Sequence, residues 1–324
     1  MSYTRPWKSF AEQLAILKAR GLIVTDDAAA LDYLERVGYY RLSAYWYPFR
    51  QFSITQNSAT GKLETKRSDN FVGNTHFVDA VELYLFDKKL RLLVMDALER
   101  VEIALRVDIA HLLGERDTFA YANQAQLHPS FSNKAFNGVT AFANWQQKYT
   151  SLLTRARKKE DFVKHYLKVH GADLPIWVAV EVWDFGAMSQ LFAMMKVNDQ
   201  IKIANKYGVS DFKVFASWLR ALNHLRNIAA HHSRLWNRNI DVQPKLPTKG
   251  EIAWCDDFIG HPDLIARPFL LLSILRHMTL VICPNTEWHQ RIAEHLTAFP
   301  TIHSDNKRTF DDIGVVTGWE RWWK

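Results

Sequence analysis

The strongest constraint on the fold is a run of helical periodicity from His76 to Leu113, with apolar residues recurring every three or four positions. Phe86-Asp87 marks a candidate interruption, and Gly114 supplies a stop. A helix beginning at Asp87 would hold about 27 residues and reach about 40 Å, enough to span a domain. Arg91, Glu99, Arg100, Glu102 and Arg106 give it a charged face. Strand-type alternation is scarce elsewhere, so the expected fold class is all-α.

Shorter elements surround this run. Ser9 with Glu12 forms a capping-box pattern ahead of Phe10, Leu14 and Leu17, and Gly21 ends that helix. A second helix begins after Asp26 or Asp27 and reaches Gly38. The stretch Tyr39 to Arg50 is an aromatic cluster with Arg41 and Arg50 embedded in it. It reads either as a core-forming hinge or as a surface that stacks bases and holds phosphates. Gln51 to Asn74 turns polar and suggests a mobile loop or a small hairpin.

From Gly114 to Asn144 the pattern is loop-like, and helix resumes near Trp145. That helix carries Arg155, Arg157, Lys158 and Lys159, either a solvated face or a contact to an RNA backbone. Pro175 sits at the first position of a helix expected to run through Trp183 and Phe185 and to be interrupted at Gly186. Helices are expected again over Asp199 to Tyr207, after the cap Asp211, over Ala266 to Cys283 and over Trp288 to Phe299. The end, Gly318 to Lys324, holds three tryptophans and is expected to dock on the domain or on a partner. The division expected is an N-terminal helical segment (1–75), a helical core (76–240) and a C-terminal extension (241–324).

The segment after Asp211 carries the chemistry. On a helical wheel Asn223, His224, Asn227, His231, Arg234 and Arg238 share an arc of about 100°, and Trp218, Leu222, Leu225, Ala229 and Trp236 gather opposite. No acidic residue lies between Asp211 and Asp241, whereas Lys213, Arg220, Arg226, Arg234 and Arg238 do. Such a face suits an anion. Within it, Arg226-Asn227 and His231 form an R-N-x-x-x-H pattern. RNA brings its own nucleophile, the 2′-hydroxyl, so proton transfer and charge stabilisation suffice to cut it. An imidazole handles protons near neutrality, and a guanidinium clamps the non-bridging oxygens. His231 is therefore the candidate general acid/base, Arg226 the phosphate clamp and Asn227 a neutral positioning group.

His232, about 100° further round a helix, reads as a packing or interface residue. With one histidine per motif, a two-fold dimer is expected to supply the second. Glu102 and Arg106, an i,i+4 pair, are either a surface ion pair or a support that orients the catalytic Arg or His. Arg41, Lys158, Arg234 and Arg238 are further RNA-binding candidates.

The net charge of +7 favours a polyanionic partner, here RNA. Two distant cysteines, Cys255 and Cys283, fit a reducing cytoplasm. No apolar run approaches the roughly 18 residues of a membrane span, and the first ten residues have no apolar leader core. Neighbouring histidines diverge on a helix and no phosphate-binding loop occurs, so neither metal nor cofactor is expected.

Several motifs in one order resemble the abortive-infection (Abi) proteins of the AbiD/AbiF group, which are similar to HEPN-domain ribonucleases. They are Arg20-Gly21-Leu22, Gly38-Tyr39-Tyr40-Arg41-Leu42-Ser43, Tyr84-Leu85-Phe86-Asp87 with Leu90-Arg91, and Glu99-Arg100-Val101-Glu102 with Arg106. Leu174-Pro175-Ile176-Trp177 and Leu225-Arg226-Asn227 to Asn237 complete the series. The resemblance implies an all-α HEPN-like bundle, an active site completed across a homodimer, and phage defence through growth arrest. It implies an endoribonuclease or toxin that a structured non-coding RNA regulates, with Arg226, Asn227 and His231 in the active site and Glu102 and Arg106 in support. The alternative is a non-catalytic HEPN-like module that holds such an RNA.

Overall fold

A computed structural model describes residues 6–56, 61, 63–133, 135–171 and 173–323. The readings that fall on Met1 to Arg5, on 57–60 and 62 within the polar stretch, and on Lys324 lie outside these residues. The architecture is an all-α bundle, and strands among the described residues form only two hairpins.

Helix α1 (Phe10–Ala19) starts at the expected box, where Glu12 N–H donates to Ser9 Oγ at 3.3 Å and Ser9 N–H to Glu12 Oε2 at 2.7 Å. Asp26 caps α2 (Asp27–Arg36). Helix α3 (Tyr39–Trp46) turns the aromatic cluster into two faces, with Leu42, Tyr45, Trp46 and Phe49 buried and Tyr40 and Tyr47 exposed. The polar stretch that follows is the antiparallel hairpin of β1 (Arg50–Gln56) and β2 (Leu63–Phe71).

Helix α4 runs unbroken from Phe77 to Gly114, 38 residues or about 57 Å. The interruption expected at Phe86-Asp87 is absent. Asp87 is buried within the helix as an acceptor for groups outside it, and Arg91, expected on a charged face, is buried beside it. The α3 helix, the Phe212–Ala230 helix, the Pro268–Ile282 helix and the Trp288–Thr297 helix all pack against α4. One hydrophobic cluster runs from Leu14 through the α4 residues to Trp323.

Other boundaries shift for local reasons. The helix expected from Trp145 begins at Ala141, because Thr140 caps it by accepting from Ala143 N–H. Beyond Pro175 there is only a short helix, Ile176–Ala179, and a 3-10 turn. The interruption falls at Trp183-Asp184 rather than Gly186, because Asp184 caps a new helix over Phe185–Met194. The tryptophan-rich end docks on the domain, with Trp319 and Trp323 buried and Trp323 Nε1 donating to His289 O at 2.7 Å.

Two imidazoles, His295 buried and His277 half-buried, tie the C-terminal helices in. His277 Nε2 donates to Tyr207 O at 2.6 Å while its Nδ1 accepts from Trp254 Nε1 at 3.4 Å. His295 stacks on Phe86 and donates to Phe86 O at 2.9 Å. Burial holds both below the usual histidine range. The unfolded chain then binds protons that the folded one refuses, so stability falls as pH drops below about 6.5, by up to roughly 1.4 kcal/mol per pH unit for each group. Urea unfolding at pH 7.5 and 5.5 should show a lower midpoint at 5.5 and a shallower dependence in His277→Gln. Equal midpoints at the two pH values would refute the assignment.

Candidate functional site

Asp211 starts the motif helix by accepting from Lys213 N–H at 2.7 Å, and the helix runs from Phe212 to Ala230. Trp218, Leu222, Leu225 and Ala229 are buried along it as the wheel requires. The helix ends one residue before His231, which is its C-cap. His232 has a φ of 57°. His232 N–H donates to Ala229 O at 3.1 Å and Ser233 N–H to Ile228 O at 3.0 Å, the paired bonds of a Schellman turn. The wheel therefore stops at Ala230, and Arg234 and Arg238 belong to the turns that follow.

That reversal changes two expectations. His232 is not turned into the apolar side but is exposed, and with His231 it lines one groove of about 630 Å³. Arg41, Arg234 and Arg238 line the same groove, with Tyr40, Tyr47 and Ser233. Arg41 fixes the turn by donating to His232 O at 2.7 Å. Arg234 also serves the fold, with Nη1 on Ala44 O. No carboxylate is among the described residues lining the groove.

Arg226 opens elsewhere. It lines a groove of about 350 Å³ with Asp96, Glu99, Glu102, Ile103 and Arg106. Arg106 Nη2 donates to Glu102 Oε1 at 2.6 Å and to Trp183 O at 2.8 Å, with both side chains under a fifth exposed. The pair is thus more than a surface contact. Burial pushes the Glu102 carboxyl up, against the pull of Arg106 and then of Arg226. Asp184 senses the same Arg226 guanidinium. The stretch free of acids in sequence is therefore not free of them in space. Arg226 forms no ion pair among the described residues, and its Nη1 reaches only Asn227 Oδ1 at 3.4 Å. Asn227 is exposed, and Lys158 is exposed on the Ala141–Lys159 helix and lines neither groove.

A buried node beneath the first groove holds it in shape. Asp87, fully buried, accepts from Tyr45 Oη at 2.7 Å, Leu235 N–H at 3.1 Å and Trp236 N–H at 2.8 Å, and pairs with Arg91. Burial pushes its carboxyl up, while Arg91 and the three neutral donors pull it back. The node joins α3, α4 and the chain after His231, bringing two of the quoted motifs to one point. Individual residues carried no sign of this. Tyr40 and Tyr47 had one: positions 40, 43, 44 and 47 share a helical face, and Leu42, Tyr45 and Phe49 lie on the other.

No helix among the described residues is long and apolar enough to cross a membrane. No curated protein and no solved structure matches the chain significantly. A family model does match, that of the Abi-like proteins, over residues 32–237. That span holds α3, α4, the motif helix and the Asp87 node, and by it the chain belongs to the Abi-like protein family.

Proposed function

We propose that this protein is an endoribonuclease that cuts RNA through the RNA's own 2′-hydroxyl, acting in phage defence by abortive infection as its family name suggests. The observation that carries the reading is the groove at His231: an exposed imidazole beside three guanidinium groups, two exposed tyrosines and no carboxylate in the lining. Arg41 and Arg238 hold the phosphate and stabilise the charge that builds on it. His231 moves a proton at the reacting oxygens. Tyr40, 76% exposed, and Tyr47 offer ring faces to unpaired bases. Arg226 lines the neighbouring groove with Glu102 and stays outside this cluster.

The test is RNA cleavage by the purified protein in EDTA. Products with 2′,3′-cyclic phosphate ends are expected, and a 2′-deoxy substitution at the cut site should abolish the cut. Loss of activity in chelator, or an unchanged rate on the 2′-deoxy substrate, would remove the mechanism. A second reading, an RNA-binding module that cuts nothing, draws on one observation: Arg226 and His231 line different grooves. It predicts RNA that is retained intact, with affinity falling steeply as salt rises.

A further inference from the structure

Cleavage by 2′-hydroxyl attack moves two protons, one from the attacking oxygen and one to the departing 5′-oxygen. On a continuous helix His231 and His232 would diverge, leaving one imidazole per site. The helix does not continue. With His232 in the left-handed region, the chain reverses and both side chains line the same groove.

The position is unusual for a histidine. A Schellman turn places its left-handed residue one step past the C-cap, where glycine is the common occupant because it has no Cβ to clash. A non-glycine residue there carries a conformational cost. The backbone groups of His232 do all the structural bonding: its N–H reaches Ala229 O and its carbonyl accepts from Arg41. The imidazole itself is exposed. It therefore adds nothing to the turn that glycine would lack, and what it adds faces the groove.

We infer that His232 is the second catalytic residue of this groove, pairing with His231 within one chain. The inference rests on the nuclease reading above. One imidazole of the pair, neutral, takes the proton from the 2′-hydroxyl as that oxygen bonds to phosphorus. The other, protonated, gives its proton to the 5′-oxygen as the P–O5′ bond breaks. The products are a 2′,3′-cyclic phosphate and a 5′-hydroxyl, and the two imidazoles exchange protonation states, restored through solvent without any co-reactant. Arg41, bonded to the carbonyl of His232, fixes the turn and brings a positive charge to the phosphate between them.

Two variants, His232→Gly and His232→Asn, test this against wild type with a labelled RNA oligonucleotide. Glycine and asparagine both accept the left-handed backbone, so melting temperatures should stay within a few degrees of wild type or rise. Cleavage should fall by about 100-fold or more in both, the bell-shaped pH profile should lose one limb, and free imidazole should restore part of the rate in His232→Gly. Cleavage within threefold of wild type with both limbs intact would overturn the inference and leave the second imidazole to a partner copy. Activity and melting temperature falling together in both variants would also overturn it, assigning the side chain to the fold. Wild-type protein that leaves RNA uncut would sink the nuclease reading itself, an outcome distinct from the other two.

Discussion

His231→Ala should lower kcat for RNA cleavage by about 10²–10⁴-fold, the usual contribution of a positioned acid or base. Binding should survive, because the imidazole is one group among three guanidinium groups and two tyrosines lining the groove. Single-turnover cleavage and fluorescence anisotropy on the same oligonucleotide separate the two effects. More than a tenth of wild-type activity in the variant would take His231 out of the chemistry. An equal loss of affinity and rate would make it a binding residue. The same pair of measurements on Arg41→Ala should give the opposite pattern, with affinity suffering first, since a phosphate contact is made before and during the reaction.

Asp87→Ala should be the most damaging change to stability, at about 3–5 kcal/mol, because it leaves a buried charge without its partner. Arg91 loses its carboxylate, Tyr45 its acceptor, and the Leu235 and Trp236 amides theirs. Asp87→Asn keeps an acceptor oxygen but not the charge, so it should fall between the two. Urea unfolding followed by circular dichroism reads both values. A loss below about 1 kcal/mol for the alanine variant would show that the node is not what holds the groove's floor.

The contrast between these residues shows what sequence can convey. Helical class was legible because period 3.6 survives in a bundle whose main helices pack on one long neighbour. Caps at Ser9, Asp26 and Asp211 were legible because their chemistry is local. The end of the motif helix was not. Its stop is usually marked by glycine, and here a histidine holds that place, so the helical wheel ran on to Arg238 and turned His232 the wrong way. Asp87 read as an interruption for a similar reason: a carboxylate in an apolar run looks like a break until its four donors, one on the same helix and three from two distant segments, are seen. The partition of Arg226 and His231 between two grooves has no local signature at all.

The contact from Arg41 to the carbonyl of His232 closes a loop of 191 residues, and those from Leu235 and Trp236 to Asp87 close loops of about 150. Contacts between such distant parts of a chain form late and slowly. During synthesis, nothing shaped like this groove exists until the chain beyond Arg238 has left the ribosome and settled against α3 and α4. The RNA-cutting activity proposed above would thereby be withheld from every nascent and partly folded copy, in the one place in the cell where RNA is always within reach.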